Sequence, residues 1–392
     1  MKALGPNTRA VHTEHPDLRA MSGEALAVPI VQTSSFGFDS VEAMESALSN
    51  PGTGYVYTRG QNPTIDAMER ALAELEGAEA AVGFGSGMAA IHGALLAELS
   101  HGDHMVAPAS MYGGAYALFQ RIFPRIGVEV SFVKDASVDG FRAALRPNTK
   151  VLYTETIGNP RLAVPDLEGL SALAREAGAA LVVDSTLASP AVSRPLERGA
   201  DVVLHSASKY LGGHGDLIAG VVAGSAERMR RVRQVMFDAG GIVAPFVAWL
   251  VLRGMKTLPL RMAQHQRSAL EVARFLADHP RVTTCLYPGL PSHPDHDRAR
   301  AVLDGGFGAI VALELAGGDA PATAFCNRLR LFARAGSLGD THSLVIQPAM
   351  ASHRLLTPEA RLEAGIGPGF VRLSIGLEDG PDLIEDLRQA LG

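Results

Sequence analysis

Cysteine is scarce in this chain of 392 residues, and the only two are Cys285 and Cys326. They lie far apart and have no CxxC spacing, which argues against a disulfide framework. Charged residues make up 19% of the chain, and the formal net charge is −6 at pH 7. Because no dense basic run is present, we expect no nucleic-acid partner.

Long apolar segments are missing as well. The most apolar stretch, Ala244–Leu252, is much shorter than the roughly 20 residues of a membrane-spanning helix. The segment from Met1 to Arg19 lacks the apolar centre of a secretory signal. We therefore expect no membrane partner and a cytoplasmic location. The histidines of the PSHPDHD and HGDH segments lack the spacing of metal ligands, so no metal site is predicted.

Glycine is plentiful, at 42 residues, and a content of 47% apolar residues is typical of a globular protein. The chain is too long for one core, so we expect more than one domain. Residues 1–60 are weakly periodic and rich in Gly, Pro, Ser and Thr, which predicts an irregular arm that lies on something else. We expect a large domain over residues 61–255 and a smaller α+β domain over residues 256–392.

Short apolar runs alternate with helical patterns through the large domain. This alternation predicts an α/β fold with a mostly parallel sheet, helices on both faces and ligands at the carboxyl ends of the strands. Longer helices are expected over Tyr112–Ile126 and from Pro245 onward. The predicted strands are Ala80–Phe84, His104–Ala107, Val128–Val133, Val151–Thr154, Ala180–Val183, Val202–Leu204 and Ala219–Ala223.

The segment VVLHSASKYLGGHGD contains a candidate reactive lysine. Lys209 follows Ser206 and Ser208 just after a predicted strand, and several glycines come next. A lysine that forms an imine must lose its proton, and burial or a cationic neighbour assists that loss. The two hydroxyls have the hydrogen-bonding capacity to hold a phosphate group. Taken alone, the segment fits a surface lysine in a Ser/Gly loop equally well.

Asp184 ends an apolar strand in the segment VVDSTLASP. A carboxylate there can pair with a protonated ring nitrogen and keep the ring electron-withdrawing, although an Asp in a turn after a strand is also common. About one helix and one strand separate Asp184 from Lys209. We therefore expect both residues at the same edge of the sheet.

The segment GFGSGMAA has the pattern GxGxG, not the GxGxxG of a dinucleotide loop. Asp103 also precedes a strand, whereas a ribose-binding acid should end one, so a nicotinamide dehydrogenase is not supported. Gly87 and Met88 instead open a helix whose free N–H groups suit a phosphate, with Ser86 as the N-cap.

Together, HSASKY, SGMAA and the YxRxxNPT motif of Tyr57 and Arg59 resemble the Cys/Met-metabolism family of pyridoxal-phosphate (PLP) enzymes. The resemblance extends from TRAVH near the N-terminus to VRLSIGLED near the C-terminus. It implies a fold-type I, PLP transferase-like fold, with residues 61–255 as the PLP-binding domain and pyridoxal 5′-phosphate as the cofactor. It also implies a small amino-acid substrate and a homodimer or homotetramer with shared active sites.

The resemblance gives roles to individual residues. Lys209 resembles the lysine that carries the cofactor, Asp184 the partner of the ring nitrogen, and Tyr112 the tyrosine that stacks on the ring and donates a proton. Tyr57 and Arg59 resemble a pair that a neighbouring subunit supplies to the phosphate. The other similar positions are the phosphate cradle (Gly87, Met88, Ser206 and Ser208), Thr186 beside the ring, and the substrate-binding residues Arg372, Ser337 and Asn159. Taken singly, several of these also fit ordinary turn, helix-start or strand-edge positions.

The resemblance further implies γ-elimination from a sulfur amino acid, as in methionine γ-lyase, which gives 2-oxobutanoate, ammonia and a thiol. Lys209 is expected to take the Cα proton and Tyr112 to protonate the leaving sulfur. Cystathionine γ-lyase stays open, as does γ-replacement by a cystathionine γ-synthase or an O-acylhomoserine sulfhydrylase. A non-catalytic regulator is a further alternative, although the intact set of site residues argues against it.

Several positions depart from the methionine γ-lyase pattern. Gly114 stands where a cysteine is usual, Phe237 where a lysine is frequent, and His342 where many γ-lyases have a glutamate. The segment QPAMASH, Gln347–His353, differs from the usual HPASMTH. We expect Gly114 to leave room for a bulkier γ-substituent, such as that of cystathionine.

Overall fold

The computed structural model describes residues 5–11, 26–50, 53–351, 361–362 and 365–392. His12 of the TRAVH motif, and Ser352 and His353 of QPAMASH, lie outside the described residues, as does part of the predicted arm. Among the described residues, no helix is both long enough and apolar enough to cross a membrane.

The described chain forms two sheets and the helices that cover them. The strands are β1 (Ala80–Phe84), β2 (His104–Pro108), β3 (Glu129–Val133), β4 (Thr149–Glu155), β5 (Ala180–Asp184), β6 (Val202–Ser206), β7 (Gly220–Gly224), β8 (Val282–Leu286), β9 (Ile310–Leu315), β10 (Ala333–Arg334), β11 (Leu344–Ile346) and β12 (Phe370–Ser374). The helices are α1 (Pro6–Val11), α2 (Val41–Ser49), α3 (Pro63–Glu76), α4 (Gly87–Leu96), α5 (Gly113–Arg121), α6 (Val138–Ala143), α7 (Leu167–Glu176), α8 (Ala226–Ala239), α9 (Pro245–Met255), α10 (Leu258–Ala277), α11 (His296–Val302), α12 (Asp319–Arg328) and α13 (Gly380–Leu391).

The large sheet has the strand order β1-β7-β6-β5-β4-β2-β3 and is mostly parallel, as the sequence predicts. Strands β3, β2, β4, β5 and β6 pair in parallel, whereas β7 is antiparallel to both β6 and β1. Helices cover both faces because successive residues of a strand point to opposite sides. Val182 of β5 packs with side chains of α4, α5 and α8, whereas Leu181 and Val183 pack with α6 and α7.

The C-terminal part is a smaller α+β unit, as predicted. Its sheet has the order β10-β11-β12-β9-β8 and is antiparallel except for the β10–β11 pair. Helices α10 and α13 pack on each other, and both contribute apolar residues to the core that also contains β9 and β12. Arg372 lies in the middle of β12, so this sheet carries one predicted site residue toward the large sheet.

The predicted arm is less irregular than its sequence indicates, because it contains α1 and α2. Helix α2 begins after Ser40, whose Oγ accepts a hydrogen bond from the backbone N–H of Ala43 at 3.1 Å. Its apolar residues Val41, Met44 and Leu48 are exposed. The expectation of an irregular segment was therefore wrong at α2. This helix is short and buries almost no apolar side chain within its own chain, so little of it is fixed by a core of the same subunit.

Two predicted helices are interrupted at proline. The helix expected over residues 112–126 divides into α5 and a short 3-10 helix, Phe123–Ile126, which contains Pro124. The long helix expected from Pro245 ends at Met255, and α10 restarts at Leu258 with Pro259 in its first turn. Proline has no N–H group to donate and is tolerated only at a helix start. The predicted domain boundary at residue 255 falls at this break and stays a prediction.

Candidate active site

A cavity of about 680 Å3 lies at the carboxyl ends of β4, β5 and β6, where the large sheet faces β12. Asp184 and Lys209 lie at the same edge of the sheet, as their spacing predicts. Every predicted site residue except Tyr57 and Arg59 lines this cavity: Gly87, Met88, Tyr112, Asn159, Asp184, Thr186, Ser206, Ser208, Lys209, Ser337 and Arg372.

Helix α4 begins at the wall of the cavity. Ser86 is its N-cap, as predicted, and its Oγ accepts a hydrogen bond from the Ala89 N–H at 3.1 Å. A Cβ atom at Gly87 would stand 2.7 Å from both Cβ and Oγ of Ser206, so only glycine lets the helix approach that serine. The free N–H groups of α4 and the Ser206 hydroxyl therefore share one end of the cavity, which suits an anion.

Ser208 and Thr186 support the same end of the cavity. The Ser208 hydroxyl accepts a hydrogen bond from the Ala219 N–H at 3.0 Å and donates to the Ala219 carbonyl at 3.3 Å. Because the second bond is long, the hydroxyl proton is available to an anion by rotation. Thr186 Oγ1 accepts a hydrogen bond from the Ser206 N–H at 2.8 Å, which joins the end of β6 to the loop after β5.

Lys209 is partly buried, and its Nζ donates a hydrogen bond to Ser337 Oγ at 2.8 Å. Burial lowers the pKa of Lys209, and the nearby charge of Arg372 lowers it further, while Asp340 opposes the shift. A lowered pKa increases the fraction of free amine, which is the nucleophilic and basic form. The alternative of a surface lysine in a loop does not describe this position.

Asp184 is buried beside the cavity at the end of β5. Its Oδ1 accepts a hydrogen bond from the Thr186 N–H at 2.9 Å, and its Oδ2 accepts one from the Tyr153 hydroxyl at 3.4 Å. Burial raises the pKa of Asp184, whereas the hydrogen bonds from Thr186 lower it and favour the charged form. A buried carboxylate of this kind suits a cationic partner in the cavity.

Tyr112 immediately precedes α5, and 41% of its surface is exposed. Burial of its hydroxyl raises the pKa of Tyr112, and the charges of Asp184 and Glu155 raise it further, so the hydroxyl keeps its proton at neutral pH. A Cβ atom at Gly114 would stand 2.5 Å from Cε1 of the Tyr112 ring and 2.8 Å from its oxygen. The Tyr112 ring therefore occupies the space beside Gly114 in this structure, and the room expected there for a γ-substituent stays a prediction.

Arg372 is buried on β12 and is held by two residues of the predicted substrate site. Its Nη1 donates a hydrogen bond to Asn159 Oδ1 at 2.9 Å, and its Nη2 donates to the Ser337 carbonyl at 2.9 Å. Its buried Nε has no partner among the described residues. Burial lowers the pKa of Arg372 to about 10, which leaves the group charged at neutral pH. A buried cation with an unpaired N–H suits a carboxylate ligand.

Tyr57 and Arg59 line a separate cavity of about 370 Å3. The guanidinium carbon of Arg59 lies 4.6 Å from the centre of the Phe237 ring and 5.8 Å from that of Tyr57. Neither Tyr57 nor Arg59 lines the main cavity of its own chain. Their predicted contribution to a neighbouring subunit stays a prediction.

The sequence patterns do not single out Glu155, which is buried and lines the main cavity. Its Oε1 accepts a hydrogen bond from the Tyr112 N–H at 2.7 Å, and its Oε2 accepts one from the Asn159 N–H at 2.8 Å. Burial raises the pKa of Glu155 to about 8, with the charge of Asp184 as the second cause. The available signal was a carboxylate at the end of an apolar strand, the same signal that identifies Asp184.

The polar side chains of the PSHPDHD loop form hydrogen bonds with backbone groups of the protein. Asp295 Oδ2 accepts a hydrogen bond from the Val164 N–H at 3.0 Å, and His296 Nδ1 lies 2.8 Å from the Pro288 carbonyl. His293 Nδ1 accepts a hydrogen bond from the Asp295 N–H at 3.1 Å. In the part of the chain that the structure describes, no group of three or more His, Cys, Asp or Glu side chains is arranged to hold a metal ion.

The residues of the main cavity fit pyridoxal phosphate. The start of α4 with Ser206 suits the phosphate, Lys209 suits the aldehyde, and Asp184 suits the ring nitrogen. The volume of the cavity lies within the range of about 300–1,000 Å3 that is common for cofactor sites.

Comparison with known proteins gives the same result. The family described as Cys/Met metabolism PLP-dependent enzyme matches residues 7–392. The L-methionine gamma-lyase of Fusobacterium nucleatum subsp. polymorphum is 42% identical over 100% of this chain and 98% of its own length. The cystathionine gamma-lyase of Bacillus subtilis (strain 168) is 42% identical over 94% of each chain. The cystathionine gamma-synthase of Mycobacterium bovis is 41% identical over 99% of this chain and 97% of its own length. The crystal structure of metB from Corynebacterium glutamicum is similar with a TM-score of 0.92 and 37% identity, over 99% of this chain and 98% of that chain.

Fold and site together define a fold-type I PLP enzyme, with pyridoxal 5′-phosphate as its cofactor. The chain belongs to the Cys/Met metabolism family of PLP-dependent enzymes, as the sequence motifs predict. Enzymes of this family act on small amino acids of sulfur metabolism, so the alternative of a non-catalytic regulator is not supported. Lyases and a synthase have nearly equal identity to this chain, so identity alone does not select the reaction.

Proposed function

We propose that this enzyme catalyses γ-elimination from sulfur amino acids in the manner of an L-methionine γ-lyase, giving 2-oxobutanoate, ammonia and a thiol. The observation that carries the proposal is the presence of Lys209 and Tyr112 on one cavity. Lys209 has a lowered pKa and Tyr112 a raised one, so one is suited to accept a proton and the other to deliver one. The full-length similarity to an L-methionine gamma-lyase supports the same reaction.

The cofactor would be held by residues at the strand ends. Asp184 would pair with its ring nitrogen, Lys209 would carry it, and Ser206, Ser208 and the first N–H groups of α4, at Gly87 and Met88, would hold its phosphate. When bound, pyridoxal phosphate supplies a cationic ring that draws electrons away from the substrate's α-carbon.

The substrate carboxylate would bind to Arg372. The free Nε of Arg372 gives that carboxylate a donor, while the hydrogen bonds to Asn159 and Ser337 fix the plane of the guanidinium group. Because each Nη carries a second N–H, Nε and one Nη in the same plane can together grip both oxygens of a carboxylate and so orient the rest of the amino acid. This orientation would place the α-carbon near Lys209.

Proton transfer would be divided between two side chains. Lys209 would remove the Cα proton, since burial and the charge of Arg372 favour its free amine. Tyr112 would keep its proton until the C–S bond breaks and then give it to the sulfur. General acid–base assistance of this kind contributes about 10²–10⁴-fold to a rate.

A second candidate is γ-replacement on an acylated homoserine. The 41% identity to a cystathionine gamma-synthase over nearly the whole chain favours it. Gly114 and Phe237 favour it too, because they stand where the methionine γ-lyase pattern has polar side chains. Changes in the pocket of about 1–3 kcal/mol reorder related substrates without changing the chemistry.

The test is the rate of 2-oxobutanoate formation from methionine, homocysteine and cystathionine, each with and without an added thiol. We expect elimination to be the faster reaction and to disappear in Lys209→Ala together with the visible absorbance of the bound cofactor. Lys150→Ala, at an exposed position on β4, is the matched control and should keep both. Much faster turnover of an acylated homoserine with a thiol would show that γ-replacement is the reaction.

A further inference from the structure

Two parts of the active site meet at one carboxylate. Glu155 Oε1 accepts a hydrogen bond from the Tyr112 N–H at 2.7 Å, and Oε2 accepts one from the Asn159 N–H at 2.8 Å. The side chain of Asn159 in turn accepts a hydrogen bond from Arg372 Nη1 at 2.9 Å. One buried carboxylate thus joins the proposed proton donor to the proposed carboxylate-binding pair.

The backbone at Tyr112 needs this support. Tyr112 occupies the N-cap position of α5, and its side chain makes no capping hydrogen bond. Gly113 and Gly114 follow, and glycine restricts the backbone least of all residues. The bond from Glu155 therefore anchors a segment whose own sequence does little to fix the direction of the Tyr112 ring.

The position of Glu155 is unfavourable for a residue with only a packing role. Glu155 of β4 and Asp184 of β5 are register partners on neighbouring parallel strands, and both are buried. Like charges this close disfavour each other, and burial adds to that effect. Consistent with this, burial and then the charge of Asp184 raise the pKa of Glu155 to about 8.

We propose that Glu155 is a positioning residue of this active site, which fixes Tyr112 and the Asn159–Arg372 pair relative to each other through its two backbone hydrogen bonds. The inference rests on the proposed function in one respect, namely that Tyr112 acts on the leaving group and Arg372 binds the substrate carboxylate. Glu155 acts through these residues and takes no proton from the substrate.

The test compares Glu155→Gln with a matched control, Asp386→Asn. Glutamine has the size of glutamate but one oxygen, so one of the two N–H groups would face an NH2 donor. Asp386, on α13, is also a buried carboxylate, and it accepts hydrogen bonds from the backbone N–H groups of Arg330 at 2.9 Å and Leu331 at 2.8 Å. Asp386 also accepts hydrogen bonds from the Phe332 N–H at 3.4 Å and from Gln389 Nε2 at 2.9 Å, so we expect Asp386→Asn to lose at least as much thermal stability as Glu155→Gln.

Kinetics separate the two variants. In the holoenzyme we expect Glu155→Gln to lower kcat and raise KM by roughly tenfold each, the scale of one lost buried hydrogen bond. Tyr112→Phe should lower mainly kcat and Asn159→Ala should raise mainly KM, so Glu155→Gln should combine both effects. Asp386→Asn should change neither constant. A change in only one constant, or in none, for Glu155→Gln overturns the proposal.

Two further measurements test the role of Glu155 if the enzyme catalyses γ-replacement instead of γ-elimination, or if Glu155→Gln does not fold. Binding of norleucine, which has no γ leaving group, is followed by the spectral change of the holoenzyme and should weaken in Glu155→Gln but not in Asp386→Asn, whether the enzyme eliminates or replaces. If Glu155→Gln does not fold, Glu155→Asp keeps both oxygens on a shorter side chain and should shift kcat and KM in the same directions. Unchanged constants in Glu155→Asp would then overturn the proposal.

Discussion

The ring of Tyr112 lies directly against Gly114. A Cβ atom added at position 114 would stand only 2.5 Å from Cε1 of the ring. We therefore expect Gly114→Ala to displace the ring and its hydroxyl, lowering kcat by about tenfold or more, within the range of lost general acid catalysis. KM should change less, since Arg372 and Asn159 are not moved. Steady-state rates of 2-oxobutanoate formation would measure both constants.

The control for this prediction is the same substitution made in Tyr112→Phe. Once the hydroxyl is absent, displacing the ring removes little further acid catalysis, so the two changes should be strongly non-additive. An equal loss of kcat from Gly114→Ala in both backgrounds would contradict the prediction and indicate a general disturbance of α5.

Lys209 lies near one positive and one negative side chain, Arg372 and Asp340, so removing each charge should shift the pKa of Lys209 in opposite directions. After burial itself, Arg372 lowers the pKa of Lys209 and Asp340 raises it. Arg372→Gln removes a cation that disfavours the protonated amine, so the pH at which Lys209 loses its proton should rise. Asp340→Asn removes an anion that favours the protonated amine, so the same pH should fall.

These shifts can be measured in the cofactor-free protein from the pH dependence of labelling by an amine-reactive reagent, with Lys209 identified by mass spectrometry. Lys150 is exposed on β4 and provides an internal control in the same samples, where its labelling should be the same in both variants. Shifts of Lys209 in the same direction for both variants would contradict the assignment.

Phe237 should matter for cofactor binding through Arg59, whose guanidinium carbon lies 4.6 Å from the centre of the Phe237 ring. Phe237→Leu keeps apolar bulk but removes the face of the ring, a loss of about 0.5–1 kcal/mol. If Arg59 holds the phosphate in a neighbouring subunit, the affinity for pyridoxal phosphate should fall about two- to fivefold. Absorbance titration of the cofactor-free protein measures this affinity.

The matched control is Phe275→Leu, which removes a ring that lies 5.3 Å from the guanidinium carbon of Arg388. Phe275 and Arg388 lie on α10 and α13 and line neither cavity described above. Their variant should bind the cofactor with unchanged affinity. Equal affinities for Phe237→Leu and Phe275→Leu would show that Arg59 does not hold the phosphate.

Shared active sites predict that two inactive variants restore each other. In a mixed dimer of Arg59→Ala and Lys209→Ala subunits, one site carries both changes and the other carries neither. With random exchange, half of the dimers are mixed, so activity should recover to about a quarter of the wild-type value. If subunit exchange is verified and activity still does not recover, the shared-site arrangement is contradicted. Full activity of a monomer would also contradict it.

The sequence by itself determined the elements that depend on local patterns. Apolar runs of strand length placed the strands of the large sheet, because the faces of a parallel sheet are buried and need apolar side chains. The carboxylate after β5 and the lysine after β6 followed from strand order, since parallel strands end at one edge. Ser86 as the N-cap of α4 followed from the chemistry of helix starts.

Only the tertiary structure decided which distant residues meet. Arg372 on β12 and Asn159 in the loop after β4 are 213 residues apart, and they form a hydrogen bond at the cavity that both line, which no local pattern encodes. The ring over Gly114, the two bonds of Glu155 and the contact of Arg59 with Phe237 depend in the same way on side-chain directions that are set by packing. The lowered pKa of Lys209 and the raised pKa of Glu155 also arise only after folding, because burial and neighbouring charges cause both shifts.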